Sequence, residues 1–189
     1  MSKVVIVYHS TYGHTEAQAK AVLQGVQRVE VAAGLLLHVT EVEKHWDDLN
    51  GADAIIFGCP TYMGSASADF KRFMEASSKL WSEQKWKDKL AAGFTNSGSQ
   101  SGDKLNTLVQ LAVFAAQHGM IWVSLGMLPG NNTSSGGPAD VNRLGSYLGA
   151  MAQSNIDMGS DAVPPRSDRE TAASLGQRVT EICRRFVPH

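Results

Sequence analysis

Short apolar runs alternate with longer amphipathic stretches along the chain. Residues 4–8, 54–58 and 90–95 are continuous apolar runs, which is typical of strands buried on both faces of a sheet. Residues 35–39 and 121–123 are shorter runs of the same kind. Each run is followed by a stretch with helical spacing. Five strands that alternate with helices predict an α/β fold, with one parallel sheet and helices on both faces.

The apolar spacing also predicts the buried face of each helix. The first helix follows residue 15, a short one covers residues 43–49, and a third covers residues 68–81. The last helix is expected to start at Ser167, with Glu170 three residues on as a capping box. The predicted buried positions are Val22, Gly25, Val26 and Val29; Phe70, Phe73, Met74 and Ser77; Leu105, Leu108, Val109, Ala112, Ala115 and Ala116; and Ala172, Leu175, Val179, Ile182, Cys183 and Phe186.

One stretch breaks the alternation. Residues 124–160 have little periodicity, and residues 130–138 are dense in Gly, Ser, Asn and Pro. A loop of this length inside a compact domain is usually functional or takes part in assembly. It is therefore expected to close a ligand pocket or to meet another subunit.

Composition narrows the class of protein. The chain has 189 residues, 43% of them apolar, and a formal net charge of −1, which fits one globular domain over residues 1–189. Near-zero charge argues against a nucleic-acid partner, and no apolar run is long enough to span a bilayer. Cys59 and Cys183 are the only cysteines, which excludes a disulfide scaffold, and no ligand spacing predicts a metal site. A cytoplasmic location is expected.

The loop after the first strand is a candidate phosphate site. Ligands of open parallel sheets bind at the carboxyl ends of the strands, and this loop also opens a helix, whose N–H groups attract anions. It contains no Lys or Arg, so it is not the P-loop of a nucleotide triphosphatase, and the G-x-G-x-x-G dinucleotide pattern is missing. A neutral, hydroxyl-rich loop suits a phosphomonoester such as that of FMN. Simple capping of the helix by Ser10 or Thr11 is the alternative.

Two further loops follow strands of the same sheet. The loop after the third strand begins at Cys59 and Pro60, and its Tyr62 and Met63 suit a flat aromatic ligand. An ordinary turn at the edge of the core is the alternative. The loop after the fourth strand, residues 95–102, has small polar groups that suit a polyol chain or the edge of a heterocycle. The alternative is a flexible surface loop, with Asp103 capping the next helix.

Taken in order, these stretches resemble the flavodoxin-like NAD(P)H:quinone oxidoreductases, historically called tryptophan-repressor-binding proteins. The resemblance covers nearly the whole chain and is carried by residues 4–15, 55–64, 79–81, 94–102 and 117–120. It implies the flavodoxin strand order 2-1-3-4-5, non-covalently bound FMN and a homo-oligomer, dimer or tetramer. It also implies two-electron reduction of quinones by NADH or NADPH, in a ping-pong reaction through one shared pocket.

The resemblance also implies roles for individual residues. Tyr12 matches a position near the nicotinamide nucleotide, while Trp81 and His118 border the pocket above the flavin, Trp81 contributed by a neighbouring subunit. The residues implied to bind the cofactor are Ser10, Thr11, Tyr12, Gly13, His14 and Thr15 for the phosphate, Pro60, Thr61, Tyr62, Met63 and Gly64 for the ring, and Ser97, Gly98, Ser99, Gln100, Ser101 and Gly102 along the flavin.

His118 is the candidate catalytic residue, since an imidazole with a pKa near neutrality can bind or protonate a quinone oxygen. The alternative is a histidine at a helix C-terminus, followed by Gly119 as the C′ residue. Cys59 is interpreted as a small apolar residue, because no partner cysteine is nearby, and Cys183 as a structural residue, because it lies on the buried face of the last helix.

Other functions share this fold. An electron-carrier flavodoxin would bind FMN without being an enzyme, but such carriers tend to be strongly acidic, and this chain is not. A flavin, azo or nitro reductase would differ only in its electron acceptor. A phosphoacceptor receiver domain needs acidic residues after the first and third strands, where this chain has Ser10 and Pro60.

Overall fold

A computed structural model describes residues 1–186. The strands are β1 Ser2–Tyr8, β2 Ala32–His38, β3 Ala54–Tyr62, β4 Ser65–Ala66, β5 Leu90–Ser97, β6 Ile121–Trp122 and β7 Ala150–Gln153. The helices are α1 His14–Gln27, α2 Trp46–Asn50, α3 Ala68–Ala76, α4 Ser78–Ser82, α5 Lys104–Gln117 and α6 Arg166–Phe186, with a 3₁₀ helix at Val39–Lys44.

The sheet has the strand order β2-β1-β3-β5-β6, and all of these pairs are parallel. This confirms the predicted order, with one difference at the fifth strand, which is split. The start of β5 pairs with β6 through Leu90 and Ala91, and its end pairs with β7 through residues 94–97. Residues 123–149 leave the sheet between these two pieces, so part of the irregular segment is an insertion within a strand.

Helices cover both faces of the sheet, as predicted. Alternate strand residues such as Ile6 and Ile56 pack with α1 and α6 on one face. On the other face, Phe57 meets Phe73, Trp86 and the helices α3 and α5 in an aromatic cluster. Because each strand is buried on both sides, its apolar run is continuous and not alternating.

Small residues let α1 and α6 touch. A Cβ atom on Gly25 would lie 1.8 Å from the Ala173 carbonyl oxygen, and one on Gly176 would lie 2.1 Å from the Val22 carbonyl oxygen. No side chain fits in those gaps, so the two glycines set the distance between the helices.

A buried ion pair ties the insertion to the sheet. Arg143 in the insertion donates from Nε and Nη2 to the two carboxylate oxygens of Asp168, each at 2.8 Å. Asp168 also accepts from the backbone N–H of Gln153 in β7, at 2.9 Å. The insertion is thus fixed to α6 and to the last strand by bidentate, charge-assisted hydrogen bonds.

Several local predictions were wrong. The helix expected over residues 68–81 is broken at Ser77, whose hydroxyl donates to the Met74 carbonyl. Residues 43–49 form the end of a 3₁₀ helix followed by α2. The Ser167 capping box does not form, because Ser167 lies inside α6 and donates to the Pro138 carbonyl, while Glu170 pairs with Arg28.

The buried faces of α5 and α6 differ in part from the predicted residues. In α5 the buried apolar face is Leu108, Leu111, Phe114 and Ala115, whereas Leu105, Val109 and Ala116 are exposed. In α6 the predicted face is buried except for Ile182, which is half-buried, and Phe186, which is exposed. The predicted faces of α1 and α3 are confirmed, with Met74 half-buried.

Candidate functional site

One cleft lies at the carboxyl ends of β1, β3, β5 and β7. It consists of two adjoining cavities of about 620 and 590 Å³, whose shared wall contains Tyr62, Ser97, Gly98 and Ile156. These volumes are within the usual range for small-molecule sites. The cleft lies where the order of the sheet reverses, next to β1 and β3, the position expected for a ligand of this fold.

The first turn of α1 forms one end of the cleft. Ala17 makes the first intrahelical hydrogen bond, to the Gly13 carbonyl, so the N–H groups of the preceding turn lack intrahelical partners. No side chain among residues 1–186 caps this helix, which rules out capping by Ser10 or Thr11. Gly13 is left-handed, with φ 83°, and a Cβ atom there would lie 2.9 Å from the Ser160 hydroxyl. Free N–H groups and this tight glycine fit a bound phosphate.

The loop predicted to hold a ring is a β-hairpin. β3 continues through Pro60 to Tyr62 and pairs with β4, so the predicted start of the loop at Cys59 was wrong. Met63 and Gly64 form the two-residue turn with φ 49° and 76°, both positive as in a type I′ turn. Met63 is 101% exposed at the tip of this hairpin, beside the second cavity.

The side chain of Thr61 is not free for a ligand. Its hydroxyl is 2.8 Å from the Thr95 hydroxyl and 2.8 Å from that of Thr107, in a buried network. The Thr95 hydroxyl in turn donates to the Cys59 carbonyl at 2.7 Å. Thr61 therefore supports the hairpin from behind.

The loop after β5 forms the wall that both cavities share. Of the six predicted residues, Ser97, Gly98, Ser99 and Gly102 line the cleft, while Gln100 and Ser101 face a neighbouring cavity. A Cβ atom on Gly98 would lie 2.6 Å from the Ile156 side chain. Glycine here lets the wall approach the opposite loop closely.

A fourth loop closes the cleft, which is one of the two roles expected for segment 124–160, although none of its residues was predicted individually. Residues 154–159 follow β7 and contribute Ile156, which is 88% exposed, and Met158. Ser154 accepts a 2.8 Å hydrogen bond from the amide of Asn96, and the Met158 carbonyl is 2.8 Å from His14 Nε2. The only signal was the irregular segment 124–160, which ends in this loop.

Trp81 and His118 lie outside this cleft in a single chain. They line a separate pocket of about 420 Å³. Helix α5 begins beside the cleft, and its 14 residues span about 21 Å. His118 follows the last of them and therefore lies at the end of the helix that is far from the cleft. The structure therefore brings these two residues together, but not with the predicted cofactor residues.

The surroundings of His118 alter its expected chemistry. The residue is 2% exposed, its ring lies 4.3 Å from that of Trp86, and Nε2 is 2.9 Å from the Ser77 hydroxyl. Burial lowers the pKa of His118 to about 4, so the pKa expected near neutrality was wrong. The ring is neutral at pH 7, and its one N–H, on Nε2, donates to the Ser77 hydroxyl, whose own proton goes to the Met74 carbonyl. His118 therefore has no proton ready to give to a substrate. Nδ1 has no partner among the described residues.

The two thiols are buried, as expected for structural residues. Burial raises the pKa of Cys59 to about 12, and it also raises the pKa of Cys183. Both stay protonated at neutral pH. Across residues 1–186, no group of three or more His, Cys, Asp or Glu residues is placed to hold a metal ion. In the same part of the chain, no helix is both long and apolar enough to cross a membrane.

Strand order and cleft position are those of the flavodoxin class. Solved structures agree: a flavodoxin, WrbA-like protein from Agrobacterium tumefaciens has a TM-score of 0.77 and 42% sequence identity, covering 99% of this chain and 100% of that one. A flavodoxin from the domain Archaea, at 20% identity and a TM-score of 0.67, has the same fold and covers 96% of this chain and 99% of that one.

The sequence comparisons then give the family. A model of the NADPH-dependent FMN reductase family matches residues 3–132, and the chain belongs to this family. The chain is 44% identical to flavodoxin FldP of Pseudomonas aeruginosa, over 96% of this chain and 97% of that protein. It is 31% identical to an NAD(P)H dehydrogenase (quinone) of Archaeoglobus fulgidus, over 98% of this chain and all of that protein.

Proposed function

We propose that the protein is an FMN-dependent NAD(P)H:quinone oxidoreductase. The observation that carries the proposal is the make-up of one cleft, which has a free helix N-terminus at one end and exposed apolar side chains around its mouth. The family and the quinone-reducing relatives support the same reaction.

The phosphate of FMN would be held at the start of α1. The backbone N–H groups of the first turn and the hydroxyls of Ser10 and Thr15 supply donors there, with the helix dipole adding to the attraction. Gly13 keeps the space between this turn and residues 159–160 free of a side chain. A neutral loop of this kind selects a ligand by hydrogen bonds more than by charge.

The ring of FMN would lie between the hairpin tip and the loop after β5. Tyr62 and Met63 present aromatic and polarizable surface, and Ile156 faces them from the fourth loop. Bound FMN would supply the two-electron chemistry, and the chain's task is to position it. These side chains would keep water from the bound cofactor, and the N–H groups of residues 97–102 would be available to it as donors.

Substrates would enter through the exposed rim. Tyr12 is 74% exposed at the phosphate end of the rim, in the position implied for the nicotinamide nucleotide. Met63 and Ile156 extend the apolar surface toward the ring. Such a rim favours flat, largely apolar molecules, and nicotinamide and quinone would use it in turn.

His118 and Trp81 fit this proposal through a second copy of the chain. Their pocket is open at the surface and Trp81 is half exposed, whereas His118 lies buried behind it. In a homo-oligomer, this pocket would cover the rim of a neighbouring cleft, where the exposed Trp81 side chain would border the bound quinone. Sedimentation should then give a dimer or larger species, and Trp81→Ala should raise the KM for quinone.

An electron carrier is the second candidate, favoured by the name of the flavodoxin relative. Its partner would be another redox protein, and carriers of that kind dock through acidic surface. Within the described part of the cleft, Asp157 is the one carboxylate that lines the walls. The near-neutral rim therefore favours small substrates over a basic protein partner.

Steady-state assays with several acceptors test the proposal. Purified protein loaded with FMN should oxidise NADH or NADPH rapidly with benzoquinone, and more slowly with free flavins, azo dyes or nitroaromatics. Gly13→Ala is expected to weaken FMN binding, because an alanine Cβ atom meets Ser160 and a φ of 83° strains any L side chain. Faster turnover with free flavin or an azo dye than with quinone would show that quinone is not the preferred electron acceptor.

A further inference from the structure

Lys104 is the first residue of α5 and is only 1% exposed, which is rare for a lysine. Its ammonium donates three hydrogen bonds, to the Ser97 hydroxyl at 2.8 Å, the Ser99 carbonyl at 2.7 Å and the Gln100 carbonyl at 2.8 Å. All three acceptors belong to the loop after β5. The loop therefore encloses a cation.

The backbone of the loop is shaped around this ammonium. Gly102 and Asp103 both have left-handed conformations, with φ 55° and 54°, which brings the start of α5 back against the loop. A Cβ atom on Gly102 would lie 2.2 Å from the Ser97 hydroxyl, so the turn closes tightly over the same group that accepts from Lys104. Glycine adopts this conformation freely, whereas the left-handed Asp103 is a less favourable residue that its surroundings hold in place.

The ammonium also lies directly behind the cleft wall. Ser97 and Ser99 line the cleft, and each places an oxygen within 2.8 Å of Lys104 Nζ. A positive charge at this depth is less screened than one at the surface. It therefore acts on any group bound against the loop.

Two charged groups from other elements face Lys104. Arg143 of the insertion and Lys104 both line the neighbouring cavity that Gln100 and Ser101 face, and Asp168 lies at the start of α6. Asp103 precedes Lys104 in the chain. Arg143 and Asp168 pair with each other and Asp103 is exposed, so Lys104 is a buried positive charge to which no carboxylate of the described residues is paired. Burial, partly offset by Asp168, lowers the pKa of Lys104 to about 8. It is thus charged at pH 7 and loses its proton just above physiological pH.

We propose that Lys104 is a positioning residue for the flavin, which holds the loop of residues 97–102 in its binding shape and places a positive charge behind the ring. The charge favours whichever state of the ligand is more negative, so it strengthens the binding of reduced FMN relative to oxidised FMN. This inference rests on the proposed function, because it takes FMN to be the ligand of the cleft.

The test measures FMN affinity by fluorescence quenching and the midpoint potential of bound FMN by equilibration with a reducing dye, from pH 6.5 to 9.5. Lys104→Met removes the charge but keeps the length of the side chain, Lys104→Arg keeps the charge throughout, and Lys85→Met is the control on an exposed lysine. We expect Lys104→Met to bind FMN roughly tenfold more weakly and to lower the midpoint potential. The control should match the wild type.

The pH profile distinguishes a charge effect from simple damage to the fold. The potential of the wild type should fall more steeply with pH near 8, and this inflection should be missing from both Lys104 variants. If Lys104→Met does not fold, the pH profiles of the wild type and of Lys104→Arg are sufficient to show whether the charge of Lys104 affects the potential. A wild-type profile without the inflection overturns the role of Lys104 even where FMN binds. No FMN binding by the wild type overturns the proposed function and this inference with it.

Discussion

Met63 has a backbone conformation that glycine or asparagine adopts more easily. Its φ of 49° lies in the left-handed region, and its side chain packs against nothing in the described chain, being 101% exposed. Type I′ turns prefer Asn-Gly, and Gly64 already occupies the second position. The fold of a single chain gains nothing from methionine here, which is consistent with the proposed contact to a ligand.

Met63→Asn is therefore expected to stabilise the apoprotein while weakening FMN binding. Relief of the left-handed strain should raise the free energy of unfolding by about 0.5–1 kcal/mol, measured by urea denaturation without FMN. FMN titration should show a higher Kd. The control is Asp88→Gly, at another left-handed position away from the cleft, which should stabilise without changing the Kd. An unchanged Kd for Met63→Asn would remove Met63 from the binding site.

His118 makes stability depend on pH in a direction set by its lowered pKa. The unfolded chain takes up a proton near pH 6.5, whereas the folded chain takes it up only near pH 4. Protonation thus favours the unfolded state, and the stabilisation present above pH 6.5 is lost as the pH falls toward 4.

Urea denaturation at several pH values measures this effect. The free energy of unfolding of the wild type should fall by up to about 3 kcal/mol more than that of His118→Gln between pH 7 and 4. His9, whose pKa is also lowered by burial, is present in both proteins and cancels in the difference. Parallel pH profiles for the two proteins would mean that the imidazole is not buried as described.

Sequence reasoning found most of the cleft but not the state of these side chains. The three loops were identified because glycines and hydroxyls follow buried strands, which is a local pattern. The burial of His118 depends on Ser77 and Trp86, which are far from it in sequence. Lys104 was passed over because its sequence neighbours give no sign that a loop folds around its ammonium.

Helices α1 and α6 approach each other closely because glycine, which has no side chain, stands at two contact positions. Gly25 and Gly176 each face a backbone carbonyl of the other helix. Backbone cannot move aside as a flexible side chain can. A larger residue at either position must therefore push the helices apart.

Gly25→Val should lower the free energy of unfolding by about 1–3 kcal/mol or more, through overpacking. Chemical denaturation followed by circular dichroism gives the value. Gly137→Ala is the matched control, because a Cβ atom there has no neighbour within 4 Å, and it should change stability little. A Gly25→Val protein as stable as the wild type would contradict the close crossing.

The element-level predictions succeeded where the apolar runs are continuous and failed where tertiary contacts decide. Strands β1, β3 and β5 were clear from their runs of buried residues. β7 was missed because Ala150–Gln153 contains no β-branched residue and lies far from β6, although both extend the same edge. The helix breaks at Ser77, whose hydroxyl contacts both the Met74 carbonyl and the distant His118, and no local pattern indicates the second contact.

The molecule as a whole combines a net charge near zero with a cleft at the carboxyl ends of its strands. The net charge of −1 and the single cleft carboxylate, among the described residues, distinguish it from acidic carriers. The oligomer and the identity of the acceptor depend on a second chain and on substrates, so one sequence does not fix them. We expect reduction by the nicotinamide nucleotide and oxidation by quinone to occur in the same cleft.

Anaerobic sequential-mixing stopped-flow spectroscopy tests this directly. The absorption of bound FMN, near ~450 nm, should bleach rapidly when NADH or NADPH is mixed with the holoprotein, and it should return in one phase when benzoquinone is added. Excess oxidised nucleotide should slow the return, because both ligands use one rim. If FMN binds but neither nucleotide bleaches it, the protein is an electron carrier and the account of its cleft as an enzyme site is wrong.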